Sequence, residues 1–163
     1  MSDVSTNQRT IQIEHVTMRS TRDFAEVRAN LESSVPKLEE SIARFLATGD
    51  LEHLKVKLAE GPELAIFLSR DHGTLLAVAG QARRAVQYEI GNPLTASKMT
   101  RHKLAAGLYA PLRVLLYADE SGGSVFEYDK PSSLFGQWGN PDVTAVAQGL
   151  DASLERALQH AMK

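Results

Sequence analysis

From Asn140-Pro141-Asp142 onward, Val143, Val146, Leu150, Leu154, Ala157 and Leu158 recur at helical spacing. Asn is a favoured N-cap and Pro suits the first helical position, so this stretch predicts an α-helix over roughly 141–161, about five turns long at 3.6 residues each. Only one face is apolar. A helix of that kind needs a second layer to bury against. Four short strand-like stretches supply it: the continuous apolar run Leu64–Leu68, then Ala85–Ile90, Leu112–Ala118 and Ser124–Tyr128. Together they predict one α+β domain.

The first third reads as a strand followed by helices. Residues 1–8 are polar and aperiodic, a flexible lead-in. Residues 9–18 alternate through Ile11 and Ile13 and, after a slip of register near His15, Val16 and Met18, as a half-buried strand does. Asp23 precedes Glu26 by three, and Phe24, Val27 and Leu31 follow at helical spacing. Pro36 suits a first helical position, with Leu38, Ile42, Phe45 and Leu46 as an apolar stripe ending before Gly49. Asp50 caps another short helix through Leu51, Leu54 and Leu58, closed by Gly61-Pro62.

Beyond Pro62 the pattern shortens. Leu64–Leu68 predicts a strand buried on both faces. Asp71-His72-Gly73 suits a type I turn with a glycine bulge, which would make Thr74–Ala79 the return strand of a hairpin; a short helix competes. Ala85–Ile90 predicts a strand ending at Gly91, and Asn92-Pro93 opens a helix over 93–102. The strands 112–118 and 124–128 flank an acidic, Gly-rich loop, Asp119–Gly123. Residues 131–139 read as an ordered loop.

Several function classes drop out on composition and motif. The 18 Lys+Arg against 20 Asp+Glu give a net charge of −2, unlike a strongly basic nucleic-acid binder. No run approaches the roughly 18 apolar residues of a membrane span. There is no cysteine, which removes disulfides, thiolate nucleophiles and Cys-containing zinc sites. The five histidines show no metal-ligand spacing, so a metal or haem would need distant residues to converge. No phosphate-loop or dinucleotide signature occurs, and Ser132-Ser133 lacks a nucleophile-elbow context.

The remaining candidates each have a bland counterpart. Asp71 and His72 could act as an acid–base pair, or simply form a turn. Arg83, Arg84, Lys98, Arg101 and Lys103 against Glu89 make a net +4 between positions 83 and 103. This could draw an anion, or relieve a helix C-terminus. Tyr109, Tyr117, Tyr128, Phe135 and Trp138 could line a pocket or fill the core.

Four blocks resemble a known family. They are Asp71-His72, Gly91-Asn92-Pro93-Leu94, Tyr109-Ala110-Pro111-Leu112-Arg113-Val114-Leu115 and Tyr128-Asp129-Lys130-Pro131-Ser132-Ser133. In this order and spacing they resemble the bacterial and archaeal family catalogued as domain of unknown function 302. The resemblance covers a core of about 64–133 and implies a single α+β domain at 9–163, with a helix-covered, mainly antiparallel sheet. Residues 36–60 depart from the pattern as a helical insertion. The family implies no activity.

Three functional readings follow. The leading one is a non-catalytic domain binding a small molecule or protein partner, through His72, Asn92, His102, Tyr109, Arg113 and Tyr128 gathered at strand and helix ends. The second is an enzyme using Asp71 and His72, with Arg101 or Arg113 holding an anionic substrate. The third is a structural homo-oligomer. The extra apolar helix faces at 36–60 predict a homodimer. Met1–Gln8 has neither the basic nor the apolar segment of a secretory signal. With the lack of cysteine, that makes a cytoplasmic location the expectation.

Overall fold

In the computed structural model, which describes residues 3–163, the chain opens with β1 (His15–Ser20), α1 (Phe24–Ser34), α2 (Glu40–Thr48) and α3 (Leu51–Glu60). Then come β2 (Ala65–Asp71), α4 (His72–Val78), β3 (Ala85–Gly91) and α5 (Pro93–Thr100). A 3₁₀ helix, Leu104–Tyr109, leads into β4 (Leu112–Ala118) and β5 (Ser124–Asp129). Helix α6 (Pro131–Phe135) and a 3₁₀ turn, Gly136–Trp138, precede α7 (Pro141–Ala161). The result is a single α+β domain.

The five strands form one antiparallel sheet in the order β1-β5-β4-β3-β2. Successive side chains of a strand alternate between the faces. One face carries Val86, Tyr88, Ile90, Val114, Leu116 and Phe126, all buried. Helices α1 and α7 bury Val27, Leu31, Leu154 and Leu158 in the same core. Asn140 Oδ1 starts α7 by accepting from the N–H groups of Asp142 (3.0 Å) and Val143 (3.1 Å). Asp23 likewise caps α1 through the Ala25 N–H at 2.7 Å. In the hairpin between β4 and β5, Asp119 Oδ1 accepts from the N–H groups of Ser121 and Gly123, both at 2.9 Å. Gly122 takes the left-handed conformation there, with φ 89°, which a side chain resists.

Several local expectations are corrected. The first strand covers His15–Ser20 rather than 9–18, and Ile13 is exposed. Its partner β5 ends at Asp129, opposite His15, and Pro131 then begins a helix, so residues 9–14 find no strand to pair with. Pro36 does not open a helix. It sits in an extended segment that makes a parallel bridge, Lys37 to Ile66, on the edge of β2. Helix α2 starts only at Glu40, and of its stripe and the next, Ile42 and Leu54 are buried while Leu46 and Leu51 face solvent.

β2 is an edge strand, buried only at Ala65 and Ile66, with Leu68 exposed. Asp71-His72-Gly73 is not a hairpin turn. Asp71 Oδ1 accepts from the Thr74 N–H at 2.8 Å and caps α4, the competing helix. Gly73 does not adopt positive φ. Its role is close approach, because a Cβ there would lie 2.4 Å from the Arg83 carbonyl oxygen. The strand that pairs with β2 is β3 instead. Residues 131–139, expected as loop, form α6 and a 3₁₀ turn, with Pro131 at the first helical position.

Candidate functional site

The best-formed recess lies where β2, β3 and β4 meet α5, α6 and α7, and its volume is about 310 Å³. That is at the small end of the 300–1,000 Å³ typical of ligand pockets. Its apolar walls are Phe67, Met99, Pro111, Leu112, Phe135 and Leu150. Polar atoms come from Asn92, Thr95, Ser97 and Thr100.

Local structure explains each wall. The β2–β3 register slips between Ile66 and Leu68, so Phe67 is the extra residue of a bulge; bulges commonly re-aim a side chain beside a site. Gly91 closes β3 without a side chain. A Cβ there would touch Phe67 and Pro111, both at 3.6 Å. Asn92 then caps α5, its Oδ1 accepting from the Thr95 N–H at 3.1 Å. Its Nδ2 donates to the Pro62 carbonyl at 3.0 Å and more weakly to that of Glu63 at 3.3 Å. Asn92 therefore ties the start of α5 to the loop before β2. Over the cavity α5 presents Thr95, Ala96 and Ser97, small side chains that leave space beneath the helix.

Of the six residues proposed to bind a ligand, Asn92 lines this cavity and the other five stand elsewhere; of the aromatic cluster, Phe135 lines it too. His72 opens α4, beyond the far end of β2, and its side chain makes no hydrogen bond among the described residues. His102 follows α5, with Nδ1 3.8 Å from Asp142 Oδ2. Tyr109 packs edge-on to Phe135, with ring centroids 6.2 Å apart, and tilts against Trp138 at 6.1 Å. Tyr128 lies opposite Val114, on the helix-covered face. Its neighbour in sequence on β4, Arg113, therefore points to the opposite face and stays exposed. The expected convergence of His72, Asn92, His102, Tyr109, Arg113 and Tyr128 on one cavity is not what the fold produces.

Of the acid–base pair Asp71 and His72, Asp71 caps α4. Hydrogen bonds from Thr74, backbone first and then hydroxyl, hold the Asp71 carboxyl below its ordinary range. The basic residues divide as well. Arg84 pairs with Asp23 at 3.1 Å before β3, whereas Lys98 and Arg101 follow its other end, on α5 and just past it.

A second polar constellation lies on the uncovered face and was not anticipated. His15 Nδ1 is 2.8 Å from Asp129 Oδ1, and Nε2 is 2.7 Å from Glu127 Oε2. Thr17 donates to the same Glu127 oxygen at 2.6 Å, and Tyr117 to the other at 3.0 Å. Hydrogen bonds to Asp129 and Glu127 raise the His15 imidazole above its usual value. Burial pushes the Glu127 carboxyl up, but the bonds from Thr17, His15 and Tyr117 outweigh it and leave it lowered. Both ring nitrogens are engaged, so the imidazole has none free for a substrate. The cluster clips the edge strand β1 to β5. Among the described residues no group of three or more His, Asp and Glu is arranged to hold a metal, and no helix is long and apolar enough to cross a membrane.

Sequence missed Phe67, Thr95, Pro111 and Leu150 as site residues. The one available signal was the small-residue run Thr95-Ala96-Ser97 in a helix whose large apolar residues are only Leu94 and Met99.

Comparison with known proteins gives a consistent picture. Residues 51–161 match the family described as Domain of unknown function DUF302. The matched segment contains every residue that lines the cavity. It includes α3 and α7, and so extends past 64–133 at both ends. No curated protein matches the chain. Among solved structures, the uncharacterized conserved protein DUF302 from Bacillus stearothermophilus is similar in fold, with a TM-score of 0.66 at 19% identity. The superposition covers 90% of this chain and 97% of that one.

Proposed function

The chain belongs to the DUF302 family, and from that premise we propose that it is a binding domain whose ligand is a small molecule held between α5 and the ends of β2, β3 and β4. The observation that carries this reading is the cavity of about 310 Å³, walled by Phe67, Met99, Phe135 and Leu150. Apolar walls with a few fixed polar groups are the usual plan of a small-molecule site. Asn92 serves it from the sequence-derived set, as the residue that fixes α5 over the recess.

The test is a thermal-shift screen of small organic molecules on the full chain, with Ala96→Phe as the blocked control. A ligand that binds only the folded state raises its midpoint, by the equivalent of about 2.7 kcal/mol at a hundredfold excess over Kd. The expected result is a set of hits that Ala96→Phe abolishes while keeping its own fold. Hits that survive the blocked cavity would place binding elsewhere.

A second reading concerns assembly. Leu46 and Leu51 are each 59% exposed and Val56 is 55% exposed on the α2–α3 hairpin, which supports self-association through that hairpin into a homodimer. Light scattering at micromolar concentration, repeated on Leu46→Glu/Leu51→Glu, distinguishes a dimer that dissociates from a chain that was monomeric throughout. The cysteine-free composition suits a reducing, cytoplasmic setting for both readings.

A further inference from the structure

We propose that the ligand is an uncharged, mainly apolar molecule about the size of one ring, carrying a single hydroxyl or carbonyl group that pairs with the Thr95 hydroxyl. This rests on the reading of the cavity as a binding site and narrows its occupant.

Not one of the lining residues is Asp, Glu, Lys, Arg or His. A carboxylate or ammonium entering such a site would give up hydration and meet no counter-charge, at a cost that far exceeds a neutral hydrogen bond. The cations of this region, Lys98, Arg101 and Lys103, are exposed and line no part of it.

Ser97 Oγ donates to the Leu94 carbonyl at 2.7 Å, and Thr100 Oγ1 to that of Ala96 at 3.1 Å. The Asn92 amide is spent on the loop before β2 and on the α5 cap. Among the described residues that leaves the hydroxyl of half-buried Thr95 as the lining side-chain donor with no partner inside the protein. A hydroxyl both donates and accepts, so it serves an alcohol or a carbonyl equally.

At the roughly 30 Å³ that a water molecule occupies in the liquid, 310 Å³ holds about ten non-hydrogen atoms. That is one ring with a short substituent.

The test uses four probes built on one ring: benzyl alcohol, toluene, benzoate and benzylamine. Each is titrated into the full chain and into Thr95→Val, Thr95→Ser and Ala96→Phe, followed by amide chemical shifts. Benzyl alcohol is expected to bind, with toluene weaker by roughly two- to tenfold for the lost hydrogen bond. Both ions should be weaker still. Thr95→Val should erase the advantage of the alcohol over toluene, and Thr95→Ser should restore it, which a folding defect cannot mimic.

A benzoate or benzylamine affinity equal to that of benzyl alcohol, abolished by Ala96→Phe, overturns the uncharged class and leaves the site standing. An alcohol advantage that persists in Thr95→Val overturns the role of Thr95. No binding of any probe, or shifts that Ala96→Phe leaves unchanged, overturns the cavity reading itself.

Discussion

The two faces of the sheet are built from the same strands and do different work. On the covered face, Tyr88, Ile90, Val114, Leu116 and Phe126 pack with Leu31, Leu154 and Leu158 in one fully buried layer. On the other face the alternate side chains of those strands are half-buried or exposed, apart from buried Val125. His15, Thr17, Tyr117, Glu127 and Asp129 form a hydrogen-bonded network there, and Arg70 pairs with Glu89 at 2.7 Å. Burial of apolar area contributes about 25 cal/mol per Å², whereas exposed ion pairs contribute at most about 1 kcal/mol each. The covered face therefore sets most of the stability, and the network on the open face makes part of it depend on pH. The cavity sits at one end of the covered layer, where small side chains on α5 interrupt otherwise continuous packing.

The contrast is broken most directly by Leu154→Ala. Leu154 is fully buried, and emptying such a site costs about 2–5 kcal/mol. Urea denaturation should show a large fall in midpoint, and an unmoved midpoint would show that α7 does not anchor the core. Gly73→Ala tests the edge where β2 turns into α4. A Cβ only 2.4 Å from a backbone carbonyl must shift that backbone, for roughly 1–3 kcal/mol of overpacking, measurable in the same experiment. A neutral result would mean that the Arg83 segment yields freely.

Tyr88→Phe keeps the buried ring and deletes only the hydroxyl, which donates to Glu32 Oε1 at 2.9 Å. The expected loss is about 1 kcal/mol. A loss as large as that of Leu154→Ala would make the polar contact, and not the apolar layer, dominant at this position.

The smallest effect should come from His15→Ala, below about 1 kcal/mol because the cluster is solvent-exposed, and its signature is pH dependence. The His15 pKa is raised above its usual 6.5, so its contribution is complete below that value and fades as pH rises through the raised one. Glu127 is lowered from 4.5, so its contribution is complete above 4.5 and fades as pH falls through the lowered value. The difference between wild type and variant should therefore peak between about pH 4.5 and 6.5. A difference that stays flat from pH 4 to 9 would remove the cluster from any role in stability.

Legibility in the sequence followed the range of the interactions. Helices α1, α5 and α7 could be read closely because Asp23, Asn92 and Asn140 cap them within three residues. The β4–β5 hairpin was equally clear from its own turn. Asp71 was ambiguous because an acidic side chain accepting a nearby N–H starts a turn and a helix alike. Which one forms depends on what the next segment finds to pair with. β3 takes the place beside β2, and Thr74–Val78 coils into α4 with Leu75 and Val78 exposed. The alternation at Ile11 and Ile13 misled for the same reason, since β5 has already ended.

The sequence by itself determined the α+β class, the long C-terminal helix, the capped helices and the central hairpin, because each is specified by periodicity and by contacts a few residues apart. Only the tertiary structure decided which side chains share a site. Whether Arg113 and Tyr128 meet is set by strand register, and one residue of offset sends them to opposite faces. The cavity needs a bulge at Phe67, a glycine at the end of β3 and a helix of small residues to converge from segments far apart in the chain. Empty space between elements leaves no periodic trace in any one of them, and only their packing creates it.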